Sequence, residues 1–357
     1  MVKNSTDTIK ELIQKIVKSP NDTENYIKLS SIYFNNGDYE LAANVYDSLL
    51  QFEPSNYVAL TNLGNIFYFK RDFIKAVNYY SRAANLEIDN LTVYFNLGNA
   101  YAELGEFKQA MSNYIKALNM DKSNYQVYSA IGMLYQDRQN YNEALMYYER
   151  ALKLCNSIPD NYLNIAFVLM KMGENSKAAE YFGKVCEMEP ANPIYMLYCA
   201  NANSAAKNYK KANELFNNVI KKQPNNYQAY LCFGISLYEQ LNIEKAVEMY
   251  NSAIKINPDL VNAYMLLGNL YFSEHNFENA VSLYKKVIEL EPVNSNAYTI
   301  LGNTYVMLKD LRSAISCYKQ AIDIDIENDE LKLIYIEIIQ EFIKTREDNT
   351  EANAAIH

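Results

Sequence analysis

The sequence predicts an all-α protein in which helix pairs stack side by side as a solenoid. Alanine recurs nine times at a constant interval of 34 residues, from Ala42 to Ala314, with no insertion or deletion between them. Within each interval the apolar residues form two stripes with the period of an α-helix. A fixed period in this range is typical of repeats that bury their apolar faces against one another.

The repeat frame is defined by taking Thr23 as position 1, so that nine repeats cover residues 23–328. Apolar residues at positions 4, 7 and 11 predict the first helix of each repeat, and those at 17, 20, 24 and 27 predict the second. Position 8 is always Gly, Ala or Ser, and position 24 is always Tyr or Phe. Small residues at positions 8 and 20 would let the two helices of a pair approach closely.

The ends of the helices are marked by glycine and proline. Gly37, Gly105 and Gly173 occupy position 15, between the two stripes, where a glycine suits a left-handed helix C-cap. Proline occupies position 32 in five repeats, where it ends the second helix. These prolines are Pro54, Pro190, Pro224, Pro258 and Pro292.

This pattern resembles the tetratricopeptide repeat (TPR) family, with tyrosine in place of the usual tryptophan at position 4. The resemblance covers residues 23–328. It implies a right-handed superhelical solenoid of antiparallel helix pairs with terminal capping helices. It also implies that the first helix of each pair lines a concave groove and that the protein binds other proteins.

The segments outside the repeats are predicted to be helical caps. In residues 1–22, an amphipathic helix would place Ile9, Leu12, Ile13, Ile16 and Val17 on one face. A second capping helix is expected over 329–344, and residues 345–357 are expected to be a disordered tail.

Charge and composition restrict the partners. The net charge is −9 and no cluster of lysine or arginine is present, so we expect no nucleic-acid partner. We expect no signal peptide, because Lys10, Glu11 and Lys15 interrupt the apolar residues near the start of the sequence. No apolar stretch of membrane-spanning length is present in the sequence, which predicts no membrane insertion. The five cysteines lack pairing motifs, which favours a reducing compartment and a cytoplasmic location.

The sequence offers no recognisable catalytic or cofactor site. The only two histidines, His275 and His357, have no partners arranged for a triad or a metal site. All glycines except the isolated Gly183 lie at positions 8 and 15 of the repeats, so the glycines cannot form a phosphate loop. We therefore expect no enzyme activity, no metal and no cofactor.

A candidate peptide-binding surface follows from positions 2, 5, 6, 9, 12 and 13, which face the groove in TPR proteins. The candidate residues are Asn62, Asn65, Asn96, Asn99, Asn164, Asn201, Asn269, Asn303, Tyr68, Phe95, Phe167, Tyr198, Ile235, Tyr238 and Phe272. A carboxamide can pair with both N–H and C=O groups of an extended peptide. The asparagines resemble the ladder in the TPR part of the O-linked N-acetylglucosamine transferases. A purely structural role for them stays open, because asparagine is common at these positions in TPR repeats.

The groove lacks the residues of the TPR clamp for a chaperone's C-terminal carboxylate. The clamp needs lysine and arginine at positions that carry Thr61, Gln126 and Ala130 here, although Asn65 and Asn96 match. Without positive charge the main energy of carboxylate capture is lost, so we expect no such binding.

The sequence therefore predicts a non-catalytic scaffold that binds a peptide or helical segment of a protein partner in its groove. One alternative is a regulatory or targeting subunit of a separately encoded enzyme or assembly machine, such as a glycosyltransferase. Another is a self-associating protein, a homo-oligomer in which the apolar C-terminal helix docks into the groove of a second copy.

Overall fold

The structure is a computed structural model that describes residues 5–86 and 90–354, with side chains described for 7–86 and 90–345. These residues form 20 helices and no strand. The helices are α1 (Ser5–Lys18), α2 (Thr23–Asn35), α3 (Tyr39–Phe52), α4 (Tyr57–Phe69), α5 (Phe73–Ala84), α6 (Leu91–Glu103), α7 (Phe107–Met120), α8 (Tyr125–Gln136), α9 (Tyr141–Leu154), α10 (Pro159–Lys171), α11 (Asn175–Met188), α12 (Pro193–Ala205), α13 (Tyr209–Lys222), α14 (Tyr227–Glu239), α15 (Ile243–Ile256), α16 (Val261–Ser273), α17 (Phe277–Leu290), α18 (Ser295–Met307), α19 (Leu311–Ile324) and α20 (Asp329–Ala354).

The predicted repeat frame is confirmed by the helix boundaries. In all nine repeats the first helix begins at position 1 and the second begins at position 17, from Thr23 and Tyr39 in the first repeat to Ser295 and Leu311 in the last. The all-α architecture of adjacent helix pairs is therefore the predicted one.

The chain divides into two compact units, unit 1 (Met1–Tyr181) and unit 2 (Phe182–His357), with the boundary inside α11. In unit 1, α1 packs on α2, and the pairs α2–α3, α4–α5, α6–α7 and α8–α9 follow, with α10 against α9. In unit 2 the pairs are α12–α13, α14–α15, α16–α17 and α18–α19, with α20 against α19.

The core of each pair is built around the repeated alanine and the ring at position 24. All nine alanines at position 20 are fully buried, and every position 24 ring is at most 3% exposed. The ring of Tyr114 lies directly over Gly98, at position 8 of the same repeat. A Cβ added to Gly98 would lie 2.6 Å from Cδ1 of Tyr114, so the glycine is required by packing.

The residue at position 15 has a left-handed backbone conformation in every repeat, although the sequence predicts this conformation only where glycine is present. The six other residues with positive φ there are Arg71, Gln139, Lys207, Leu241, His275 and Lys309. In the second repeat the amide N–H of Asp72 donates to the carbonyl of Phe67 over 2.9 Å, which closes the end of α4. The hydrogen-bonded turn thus imposes the left-handed conformation on ordinary residues as well.

Asparagine at position 34 begins the first helix of the following repeat in most cases. Oδ1 of Asn56 accepts the amide of Ala59 over 3.0 Å, and Oδ1 of Asn226 accepts the amide of Ala229 over 3.1 Å. This is the N-cap arrangement that satisfies otherwise unpaired amides in a first turn. Part of the chain's high asparagine content is therefore structural.

The terminal helices differ in detail from the prediction. In α1, Leu12 is buried, but Ile13 and Val17 are 42% and 74% exposed, so only part of the expected stripe faces α2. The helix α20 runs to Ala354 instead of ending near Lys344, so residues 345–354 are helical and were wrongly expected to be disordered. This segment contains neither Gly nor Pro to stop the helix. Residues 1–4 and 355–357 lie outside the described residues.

Candidate functional site

A cavity of about 630 Å³ lies in unit 1. Its lining comes mainly from the first helices of successive repeats, which the repeat frame places side by side. The lining residues are Tyr68, Phe95, Asn99, Ala102, Glu103, Tyr114, Tyr125, Gln126, Ser129, Ala130, Met133, Leu134, Asp137, Ile158, Asp160, Asn161 and Asn164. We call this cavity the unit 1 groove.

A smaller cavity of about 270 Å³ shares Tyr68 and Asn99 with the unit 1 groove. It is lined by Phe34, Asn65, Tyr68, Phe69, Tyr80, Asn96 and Asn99. The structure therefore brings together the candidates predicted in repeats 2 and 3, with Phe95 and Asn99 in the larger cavity.

The asparagines of this region form one hydrogen-bonded network centred on Asn65. Oδ1 of Asn65 accepts the hydroxyl of Tyr80 over 2.7 Å and Nδ2 of Asn96 over 3.0 Å. Nδ2 of Asn65 donates to Oδ1 of Asn62 over 3.4 Å. The carboxamide of Asn62 also lies beside the hydroxyl of Tyr46, at position 24 of the preceding repeat. These contacts fix the carboxamides before any ligand arrives.

The same relationship recurs one repeat later, where the hydroxyl of Tyr114 donates to Oδ1 of Asn99 over 2.8 Å. Burial raises the pKa of both Tyr80 and Tyr114 far above the ordinary tyrosine value. The hydroxyls therefore remain protonated donors at neutral pH. Each hydroxyl fills one acceptor site of a carboxamide oxygen, and the amide N–H groups of Asn99, which lines the groove, are available as donors.

Three carboxylates line the unit 1 groove: those of Glu103, Asp137 and Asp160. The hydroxyl of Tyr68 donates to Oε1 of Glu103 over 3.5 Å. Burial is the main cause of the raised pKa of Tyr114, followed by the neighbouring Tyr68. The charges of Glu103 and Asp137 raise this pKa further. Both carboxylates thus act on the same hydroxyl inside the cavity.

These carboxylates were not among the predicted site residues. Glu103 and Asp137 occupy position 13 of successive repeats, and Asp160 occupies position 2, which are groove-facing positions in the predicted frame. The signal was therefore present in the sequence. It is weaker than the asparagine signal, because acidic residues occupy position 13 in three repeats and position 2 in two, whereas asparagine occupies position 9 in five.

Two of the predicted asparagines of unit 2 make the same tyrosine contact as Asn65 and Asn99 of unit 1. Oδ1 of Asn269 accepts the hydroxyl of Tyr284 over 2.8 Å, and Oδ1 of Asn303 accepts that of Tyr318 over 2.6 Å. Asn201 instead lies beside the thiol of Cys232, whose pKa is raised by burial. In unit 1, Asn164 lines the groove.

The apolar candidates lie at the surface with different partners. Phe167 in unit 1 is 37% exposed, and in unit 2 Ile235 is equally exposed. The hydroxyl of Tyr238 donates to Oγ of Ser273 over 3.3 Å. The rings of Tyr198 and Phe272 contact those of Phe182 and Phe277, at centroid distances of 6.0 Å and 5.4 Å respectively.

The described residues offer no cluster suited to a metal ion, and the groove lining has no cationic side chain. The lining of the unit 1 groove contains neither lysine nor arginine. No three His, Cys, Asp or Glu side chains in the described part of the chain are grouped to hold a metal ion. Over residues 5–86 and 90–354, no helix combines the length and apolar character required for a membrane span.

Family models match most of the repeat region. A model described as "TPR repeat" matches residues 98–138 and 236–274. Two further models are described as "Tetratricopeptide repeat". One matches residues 125–188 and 257–327, and the other matches residues 23–56. Together these matches cover more than half of the chain. A comparison with curated proteins found no significant match.

Solved structures with similar folds include other TPR proteins. Yeast Tom70 is 16% identical, with 96% of this chain and 93% of that chain covered at a TM-score of 0.51. YrrB, described as "a TPR protein with an unusual peptide-binding site", is 25% identical over 52% of this chain and 95% of its own, with a TM-score of 0.45. PilF of Pseudomonas aeruginosa is 21% identical over 56% and 91%, with a TM-score of 0.48. The likeness to Tom70 concerns the fold alone.

Proposed function

Because the chain belongs to the tetratricopeptide repeat family, we propose that it is a non-catalytic scaffold that binds an extended peptide segment of a partner protein in the unit 1 groove. The cavity volume of about 630 Å³ is sufficient for several side chains of such a segment. The described lining offers amide, hydroxyl, carboxylate and aromatic groups, but no nucleophile paired with a base.

The observation that carries this proposal is the orientation of Asn99. Its Oδ1 accepts the hydroxyl of Tyr114, and among the described residues no hydrogen bond engages its Nδ2. The amide group is therefore oriented to donate to a peptide carbonyl. A pre-oriented donor loses little conformational entropy on binding, which favours affinity.

Side chains of the peptide would find apolar surface beside this donor. Tyr68, Phe95 and Met133 line the same cavity, and Met133 is 53% exposed. Aromatic and methionine side chains supply large contact areas at interfaces. The groove thus combines a backbone-directed donor with pockets for alternate side chains, which is how extended peptides are commonly recognised.

The test begins with peptides selected from a random displayed library against the full chain. A selected peptide is then titrated by fluorescence anisotropy into the wild type, the variant Tyr80→Phe/Tyr114→Phe, and the variant that adds Asn65→Ala and Asn99→Ala to it. Phenylalanine is tolerated at position 24, since Phe182 and Phe216 occupy it and are buried in two repeats. The double variant is therefore a matched control without an orphaned hydroxyl.

We expect the fourfold variant to bind about tenfold more weakly than its double-variant control, since one or two hydrogen bonds to the peptide are lost. Circular dichroism should show equal helix content in both. Equal affinities of the two variants would contradict groove recognition by the asparagines. Selection of no groove-dependent peptide would contradict the proposed function itself.

A second candidate function, self-association, is favoured by the exposed face of α20. Leu333, Ile336 and Ile343 are 62%, 49% and 49% exposed and are spaced along one side of the helix. Replacing Leu333 and Ile336 by glutamate should convert a dimer to a monomer in light scattering. A wild type that is monomeric at all accessible concentrations would exclude this function.

A further inference from the structure

We propose that the unit 1 groove selects an extended peptide that carries lysine or arginine side chains, which would pair with Glu103, Asp137 and Asp160. This inference rests on the proposed function and names the chemistry of its ligand. It follows from the charge of the groove lining, which contains three carboxylates and neither lysine nor arginine.

The three carboxylates are placed along the path that such a peptide would take. Glu103 ends α6, Asp137 caps the end of α8, and Asp160 lies in the first turn of α10. All three are exposed and line one cavity. Glu103 and Asp137 hold equivalent positions in adjacent repeats, so a repeating cationic residue could meet them in turn.

No cation within the described residues neutralises these groups. None of the ion pairs formed in that part of the chain includes Glu103, Asp137 or Asp160. Arg138 follows Asp137 directly, but its guanidinium lies over the ring of Phe107, 4.3 Å from the ring centroid. Lys171, at position 13 of the next repeat, does not line the cavity.

The C-terminal ends of α6 and α8 add to the negative potential of the groove, whereas the positive N-terminal end of α10 stabilises the carboxylate of Asp160. Glu103 and Asp137 lie at the C-terminal ends of their helices, where the helix dipole is negative and disfavours a carboxylate. Their position thus costs stability in the unbound protein. A bound ammonium or guanidinium group would offset the repulsion between these carboxylates and the negative helix ends, because its positive charge is attracted to both.

Two of the carboxylates lie near the backbone-directed donor of Asn99, in the lining of the same cavity. Glu103 and Asp137 both act on the hydroxyl of Tyr114, which is bonded to Asn99. A peptide carbonyl at Asn99 would therefore have its neighbouring side chains within reach of the carboxylates. An acidic peptide would be repelled at the same place, which makes charge the basis of selection.

The test uses two fluorescein-labelled peptides, one of alternating lysine and threonine and one with glutamine in place of each lysine. Each is titrated into the full chain and into the variant Glu103→Gln/Asp137→Asn/Asp160→Asn. The matched control is Glu143→Gln/Glu149→Gln/Glu180→Gln, which changes the net charge equally. Its three glutamates are exposed on second helices and do not line the groove.

We expect the lysine peptide to bind the wild type and the control variant about tenfold or more tightly than the glutamine peptide. The preference should disappear in the groove variant and weaken as NaCl rises from about 50 mM to about 300 mM. Equal preference in both triple variants would overturn the inference, since it would reflect net charge alone.

Failure of the inference is distinguishable from failure of the groove function. Equal binding of both peptides to the wild type, with both weakened by Asn65→Ala/Asn99→Ala in the Tyr80→Phe/Tyr114→Phe background, would overturn charge selection and leave the groove function intact. Binding of neither peptide would also overturn charge selection, and the displayed-library selection would then decide the groove function separately.

Discussion

The hydroxyl of Tyr80 donates a 2.7 Å hydrogen bond to Oδ1 of Asn65, which lies fifteen residues earlier on the other helix of the pair. The same separation joins Tyr114 to Asn99. The bond links position 24, in the core of the repeat, to position 9, on the groove face. Each such asparagine therefore has a structural role as well as a proposed role in binding.

Replacing Asn65 by alanine should lower the free energy of unfolding by about 1–2 kcal/mol, because the buried hydroxyl of Tyr80 loses its acceptor. Urea unfolding measures the change. Adding Tyr80→Phe should restore part of the loss, since no polar group is then left unpaired. A double-mutant cycle without coupling would show that the hydrogen bond contributes nothing to stability.

Replacing Gly98 by alanine should lower the free energy of unfolding by about 1–3 kcal/mol, because the new methyl group would lie 2.6 Å from the ring of Tyr114. Gly183 is the matched control, since no atom lies within 4 Å of its added Cβ in the middle of α11. Gly183→Ala should raise stability by about 0.5–1 kcal/mol. Equal effects of the two substitutions on the urea midpoint would argue against the packing explanation.

Replacing Leu241 by glycine should stabilise the protein by about 0.5–1 kcal/mol. Leu241 has φ of 59° and is 83% exposed, so glycine removes backbone strain and little buried surface is lost. Leu241→Ala is the control, because alanine keeps the strain, and it should leave the thermal midpoint nearly unchanged. A lower midpoint for the glycine variant would mean that the leucine side chain stabilises the fold.

Stability should fall between pH 10 and pH 12. Burial raises the pKa of Tyr318 to about 12, and the pKa values of Tyr80, Tyr114 and Tyr284 are raised in the same direction. Tyrosines of the unfolded chain ionise near pH 10, so the unfolded state loses its protons first and is favoured as the pH rises. Urea midpoints measured from pH 8 upward should stay level until about pH 10 and then decline.

The contribution of one tyrosine to this decline can be isolated with Tyr318→Phe, which removes its ionisable group. The alkaline fall in the urea midpoint should be shallower in this variant than in the wild type. An identical pH profile would mean that Tyr318 ionises alike in the folded and unfolded states.

Much of the fold could be predicted from the sequence because each repeat carries its own helix signals. The nine alanines from Ala42 to Ala314 are all fully buried, as the small-residue position predicts. The left-handed residues without glycine, such as Leu241, were not predictable from residue type. Their conformation is imposed by the hydrogen-bonded turn, whose geometry depends on both helices that it joins.

The sequence predicted which side chains share one surface but not the hydrogen bonds that they make. The frame placed Asn65, Asn96 and Asn99 on one surface, and in the structure these three side chains line one cavity. It did not reveal that tyrosines occupy the oxygens of Asn65 and Asn99, because the partner lies on the other helix. The convergence of Glu103 and Asp137 on Tyr114 depends on the packing of adjacent repeats, which residue type alone does not give.

The pairing of positions 8 and 24 has a consequence for how such a chain can diversify. Glycine accompanies tyrosine in six repeats, whereas Ala166 and Ala200 accompany Phe182 and Phe216. A tyrosine tied to an asparagine cannot shift its ring to admit a methyl group, but a phenylalanine has no such tie. In four repeats glycine, asparagine and tyrosine occupy positions 8, 9 and 24 together, and the tyrosine hydroxyl bonds to the asparagine. An entire repeat is therefore the natural unit to transplant when this surface is redesigned.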